Sequence, residues 1–302
     1  MVAFAHTFSL VARDAASGQF GVGVQSHWFA SGAIVPWAEP GVGAVATQAQ
    51  ADTSYGRLGL SLMRAGKSAE QALAALVAAD PDSDIRQVAM VDAQGRVAAH
   101  TGARCIAYTC SAQGEGYSAQ ANLMANADVC RAMAAAYEAA SGDFSERIMQ
   151  ALEAGQDAGG DVRGRQSAGL LVVPAPGDPL ASDPLTDLRV DDSAEPLVEL
   201  RRLLTVQRGY EWHARAIYAV AEGNMDEARQ NYQKLRGLVV GTREPHFWYA
   251  AALAEYGHLE EALPIFQEVF TVEPVWRSLI DRLANSGDFP RDPDVIAKVK
   301  AV

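Results

Sequence analysis

His6-Thr7-Phe8-Ser9-Leu10-Val11-Ala12-Arg13-Asp14 turns at Ser17-Gly18 into Phe20-Gly21-Val22-Gly23-Val24-Gln25-Ser26. Two short β-rich runs joined by Asp, Ser and Gly are the signature of an antiparallel hairpin. The first run carries a hydroxyl residue close to the chain terminus. A Thr or Ser at a mature N-terminus can be activated by its own α-amine, whose pKa of about 8 suits a base at neutral pH. Thr7 is therefore the first catalytic candidate. Against this stands the plain role of Thr as a good strand former.

Working outward, Gly32-Ala33-Ile34-Val35-Pro36 and Gly41-Val42-Gly43-Ala44-Val45-Ala46-Thr47-Gln48 read as further short strands. From Tyr55 the pattern turns helical: Leu58, Leu60, Leu62 and Met63 mark one helix. Ala69 to Ala79, opened by Ser68 with Gln71 three residues on as a capping box, marks another, which Asp80-Pro81-Asp82 ends. Residues 87–92 and 96–101 flank Ala93-Gln94-Gly95 as a second hairpin. Gly114 to Asn122 reads as a loop entering a short strand, residues 128–140 and 144–155 as helices, and Ser167-Ala168-Gly169-Leu170-Leu171-Val172-Val173 as one more strand. Strands and helices thus alternate in blocks, the pattern of a layered α+β domain.

Residues 174–196 form a connector with five prolines and one short strand at Leu188-Arg189-Val190. Beyond it the chain is helical and repetitive. Gly223 and Gly257, Glu227 and Glu261, Ala228 and Ala262, and Tyr232 and Phe266 are each 34 positions apart, the tetratricopeptide period. The expected organisation is residues 1–195 as an α+β domain and residues 196–302 as a small all-α helical-repeat domain.

The 302 residues carry 37 acidic and 25 basic side chains, a net charge of -12, which disfavours nucleic acid or an anionic membrane surface as partner. No run approaches the length of a membrane span, and no Lys or Arg precedes Arg13, so a secretory leader is not expected. Cys105, Cys110 and Cys130 fit no zinc spacing and read as small buried residues of a cytoplasmic protein; neither a metal nor a cofactor is expected.

Several residues outside the first strand carry candidate chemistry. Ser9 shares a strand face with Thr7. His27, after the second strand, could act as a base or cation beside Thr7, or simply cap a strand end. Gln48 and Tyr55 flank a strand-to-helix junction with Asp52, Thr53 and Ser54, which forms either a substrate pocket or a helix cap. In Gly159-Gly160-Asp161-Val162-Arg163-Gly164-Arg165-Gln166-Ser167, two arginines in a Gly-rich loop could clamp a carboxylate, or Asp161 could pair with either arginine. Asp161, Arg165 and Gln166 are the expected substrate contacts there, alongside Gln25, Ser26, Gln48 and Tyr55.

The motifs Thr7 to Asp14, Gly21 to Ser26, Gly41 to Gln48 and Gly164 to Ala168 resemble the family catalogued as domain of unknown function 1028, over residues 6–195. That resemblance implies a four-layer αββα sandwich of the N-terminal-nucleophile type, and by analogy makes Asn122 an oxyanion-hole donor. In many members of the family it resembles, the Thr-Phe-Ser motif directly follows the initiator Met. Here Met1 to His6 precede it, leaving three alternatives: cleavage between His6 and Thr7, a later start, or a Thr7 that is not an N-terminal nucleophile. The function expected is hydrolysis of a small carboxylate-bearing amide or related C–N bond. The alternative is a non-catalytic scaffold whose helical tail binds a protein or the cell wall, and a homodimer is compatible with both.

Overall fold

The computed structural model describes residues 3–177, 184–238 and 240–302. The chain divides into two compact units, Met1–Arg201 and Arg202–Val302. The first contains β1 (Ala3–Ala5), β2 (Thr7–Arg13), β3 (Phe20–Ser26), β4 (Pro36–Glu39), β5 (Gly43–Ala51), α1 (Ser54–Arg64) and α2 (Ala69–Ala79). It continues through β6 (Arg86–Asp92), β7 (Val97–Thr101), β8 (Cys110–Gly114), β9 (Tyr117–Ala121), α3 (Val129–Ala139), α4 (Phe144–Asp157), β10 (Ser167–Val173) and β11 (Thr186–Val190).

The strands form two antiparallel sheets. One has the order β1-β5-β6-β7 with β4 also paired to β5, and the other β11-β10-β3-β2-β9-β8. The opening hairpin is β2 on β3, with Thr7 opposite Ser26 and Ser9 opposite Val24. Alternation then sorts the side chains. Val11, Phe20, Val22 and Val24 of one sheet pack in a shared core with Ala44, Ala46, Ala89 and Val91 of the other. Small residues on one side let the valines of the other approach closely.

The outer faces carry helices. Val45, Val88 and Met90 pack with Tyr55, Leu60 and Met63 of α1 and Ala69, Ala72 and Leu73 of α2. On the other sheet Gly21 and Gly23 leave room for α4: a methyl group on Gly23 would stand 2.5 Å from Ile148 and 2.9 Å from Leu152. The capping box at Ser68 and Gln71 is formed.

Three local expectations are corrected. Residues 32–36 do not form a strand: Ser31–Ala33 is a 3-10 turn, entered through Ala30 at φ 53°, and the strand begins only at Pro36. The approach to β9 is itself a strand, β8, completing a hairpin around the positive-φ Gly116. Cys110 and Cys130 are joined by a disulfide that ties β8 to the start of α3, while Cys105 is free. Disulfides persist in oxidising compartments, so the thiol chemistry gives the cytoplasmic expectation no support.

The helix α5 (Pro196–Ala221) begins in the first unit and leads into the second, which adds α6 (Met225–Arg236), α7 (Glu244–Glu255), α8 (Leu259–Val272), α9 (Val275–Ser286) and α10 (Pro293–Ala301). Gly223 and Gly257 turn the chain at φ 74° and 88°, a region open to Gly. The paired residues Ala228 and Ala262, and Tyr232 and Phe266, all lie in the core of this unit. Among the described residues no helix is long and apolar enough to cross a membrane.

Candidate active site

At one end of the inter-sheet space the apolar core gives way to buried polar side chains. Thr7, Ser9, Ser26, Gln48, Gln87 and Asn122 are fully buried there, with Gln120 almost so. Burying so many amides and hydroxyls is tolerable only where they bond one another. The crossing of the chain creates the site: β1 lies in one sheet and β2 in the other, so the backbone passes between sheets at His6.

The His6–Thr7 peptide is the focus of this cluster. The Thr7 hydroxyl donates to Ser26 Oγ at 3.0 Å, and the Ser26 hydroxyl donates to the carbonyl oxygen of His6 at 2.7 Å. Arg163 Nη2 donates to the same carbonyl oxygen at 2.8 Å. The arginine is held by Asp161, which accepts from Arg163 Nη2 at 2.7 Å and from Nε at 3.0 Å. One carbonyl therefore receives a hydroxyl and a guanidinium, the pattern that stabilises negative charge developing on oxygen.

A second set of bonds fixes the neighbours. Gln87 Nε2 donates to the carbonyl of Ala121 at 3.0 Å, which leaves Gln87 Oε1 as acceptor for Asn122 Nδ2 at 2.9 Å and Gln48 Nε2 at 2.8 Å. Asn122 Oδ1 must then face His6 Nδ1, 2.8 Å away, so that His6 carries its proton on Nδ1. Burial is the largest influence on the His6 imidazole and, with the charge of Arg163, holds its pKa below the usual value despite the bond to Asn122. Gln48 Nε2 and the backbone N–H of Asn122 both donate to the carbonyl of Thr7.

The structure brings Thr7, Ser26, Gln48, Asn122 and Asp161 together. Ser9 joins them through its hydroxyl, which donates to Gln48 Oε1 at 2.6 Å. His27 touches the edge of the group, its backbone N–H donating to Asp161 Oδ2 at 3.3 Å and its ring meeting the Arg165 carbonyl. Other candidates lie elsewhere. Arg165 pairs with Glu195, and Gln166 bonds Asp192. Gln25 sits on the opposite face of β3 from Ser26, and both its amide atoms are buried with no partner among the described residues. Tyr55 donates to Asp80, which also holds Arg86.

Two residues escaped sequence reasoning in their real roles. Arg163, not Arg165, reaches the His6 carbonyl, because the turn at Asp161 folds its side chain back onto the carboxylate two residues earlier. Gln87 orients Asn122; the available signal was a Gln in each of the strands β5, β6 and β9, where an apolar core strand has little use for one.

These features define a mixed α/β protein with two antiparallel sheets, a buried hydroxyl and amide cluster at the start of β2, and a C-terminal helical region. The family of unknown function DUF1028 matches residues 7–200, and the chain belongs to it. It is similar to the crystal structure of the DUF1028 protein SPO2555 from Silicibacter pomeroyi, at 29% identity and a TM-score of 0.60, over 66% of this chain and 87% of that one. No curated protein matches the chain.

Proposed function

We propose that Thr7 cleaves the peptide bond before it and then serves as the N-terminal nucleophile of an amide hydrolase with an αββα sandwich of that type. The observation that carries this reading is the His6 carbonyl, held by Ser26 and Arg163 beside the Thr7 hydroxyl. In the first step Thr7 Oγ bonds to the His6 carbonyl carbon, the C–N bond to Thr7 breaks, and the hydroxyl proton, relayed through Ser26, ends on the Thr7 nitrogen. Water then hydrolyses the ester, releasing residues 1–6 with a carboxylate at His6 and leaving a free α-amine on Thr7. That amine becomes the base for the next substrate, while Ser26 and Arg163 hold its carbonyl as they held that of His6.

The reading reassigns Asn122. Its side-chain N–H groups face Gln87, so the oxyanion donors are Ser26 and Arg163, with Asn122 as a positioning residue. A carboxylate on the substrate has less support than the amide itself, since Arg165 is paired with Glu195 and Arg163 with Asp161. The test is a screen of the purified protein against N-acyl amino acids and small amides, read by amine release. Thr7→Ala must abolish any turnover found, and full turnover by that variant would rule Thr7 out.

A second reading concerns the helical unit. The matched glycine turns at Gly223 and Gly257, with small Ala228 and Ala262 buried behind them, support a tetratricopeptide-like tail that binds a protein partner. Deleting it would then abolish partner capture without changing amide hydrolysis.

A further inference from the structure

The segment ahead of Thr7 is built into the fold as a strand. Ala3, Phe4 and Ala5 pair antiparallel with Ala51, Gln50 and Ala49 of β5. The same edge of β5 is occupied by β4 from Gly43 to Ala46, so β1 covers the half of the edge that β4 leaves open. If residues 1–6 depart, as the function proposed above requires, backbone groups at residues 49–51 lose their partners in a site whose Thr7 is otherwise fully enclosed.

That half-edge is braced independently of β1. The carbonyl of Gln50 accepts from Arg86 Nη1 at 2.7 Å, Arg86 is held by Asp80 at 3.0 Å, and Tyr55 donates to the same carboxylate at 3.1 Å. Ala49, opposite Ala5, adopts φ 69°, a conformation that a residue with a Cβ holds only when its surroundings impose it. Tyr55 thus acts on the site from a distance, by fixing the strand edge beside it. A pre-set edge of this kind binds an extended chain without first having to be ordered.

The residue before the cleaved bond has a seat of its own. The chain of bonds from the Ala121 carbonyl through Gln87 to Asn122 leaves Asn122 Oδ1 as a fixed acceptor, filled by His6 Nδ1–H. A side chain without a donor would leave that buried oxygen unpaired.

We infer that residues 3–6 mark out the acyl side of the substrate site: it takes a peptidyl amide, extended as a strand along Ala49 to Ala51, whose last residue donates a side-chain hydrogen bond to Asn122 and whose scissile carbonyl lies on Ser26 and Arg163. The substrate class is then a peptide, not a small free amide. This rests on the processed, hydrolytic reading of Thr7.

The test uses the full-length protein after incubation, with its N-terminus established by intact mass. Three coumarin amides are compared: acetyl-Ala-Phe-Ala-His, acetyl-His, and acetyl-Ala-Phe-Ala-Leu. A fourth carries the first sequence with N-methyl groups on its backbone amides. The expected result is kcat/KM for acetyl-Ala-Phe-Ala-His about tenfold or more above each of the others, since each lacks either the strand pairing or the donor. A protein that has lost residues 1–6 but cleaves all four alike, or leaves the first intact, overturns the peptide subsite alone. A protein that keeps residues 1–6 overturns the hydrolase reading and the subsite with it.

Discussion

Ser26 Oγ lies 3.0 Å from Thr7 Oγ1 and 2.7 Å from the carbonyl oxygen that precedes Thr7, so a single hydroxyl links the candidate nucleophile to the bond it would cleave. The antiparallel register of β2 on β3 produces this, placing Ser26 directly opposite Thr7 on the inward face. Ser26→Ala removes both the proton acceptor and one carbonyl donor. Release of residues 1–6 is expected to slow by about a hundredfold or more, followed by mass spectrometry over time, and an unchanged rate would remove Ser26 from the chemistry.

Arg163 is the second donor, and its geometry depends on the fork it makes with Asp161. Arg163→Gln is expected to slow cleavage by about tenfold to a hundredfold. Arg163→Lys should not restore the rate, because an ammonium cannot bond Asp161 through two nitrogens and still reach the His6 carbonyl. Arg165→Gln serves as control, its partner being Glu195, and should leave cleavage unaffected. Equal effects at positions 163 and 165 would contradict this assignment.

The His6 imidazole is kept neutral in the fold, its pKa lowered from 6.5 chiefly by burial. When the seat is lost the ring returns to its ordinary value and binds a proton first as the pH falls. The unfolded chain then holds more protons than the folded one, so the stability contributed by this seat is complete above about pH 6.5 and declines below it. In the unprocessed Thr7→Ala protein, the melting temperature should fall further between about pH 7.5 and about pH 5 than in Thr7→Ala/His6→Gln. An equal or smaller fall would show that burial does not hold the His6 imidazole neutral.

The disulfide between Cys110 and Cys130 closes a loop across a separation of 20 residues. Loop-closure entropy for a ring of this size is worth about 3 kcal/mol. Reduction, or Cys110→Ser with Cys130→Ser, should lower the denaturant midpoint accordingly. It should also loosen the segment leading to Asn122, since the Cys110 carbonyl accepts from Gln87 at 3.4 Å. A reduced protein of unchanged stability would mean that the bond constrains nothing in the unfolded chain.

Legibility in the sequence followed the range of the interactions. Both hairpins, the helix boundaries near Ser68 and Asp143, and the glycine turns at Gly223 and Gly257 rest on local rules, and each is found where those rules put it. The residues around Thr7 were visible as hydroxyls and amides in strands that otherwise carry apolar residues. Their partners were not. Whether Arg163 or Arg165 reaches the His6 carbonyl depends on a turn at Asp161 and on a segment 157 positions earlier in the chain. The Cys110–Cys130 bond likewise requires β8 and α3 to be placed side by side, which no spacing rule foretells. The pairing of Ala3–Ala5 with β5 needed the crossing between sheets at His6, which a hairpin reading that starts at His6 does not contain.

Autocleavage is read most directly from the intact mass of the full-length protein as purified and after incubation, beside the Thr7→Ala variant. Autocleavage by Thr7 requires that the protein lose residues 1–6 and gain Thr7 as its first residue, while Thr7→Ala keeps its leader. A wild-type chain that retains His6 throughout, or a Thr7→Ala chain cut at the same bond, would contradict it.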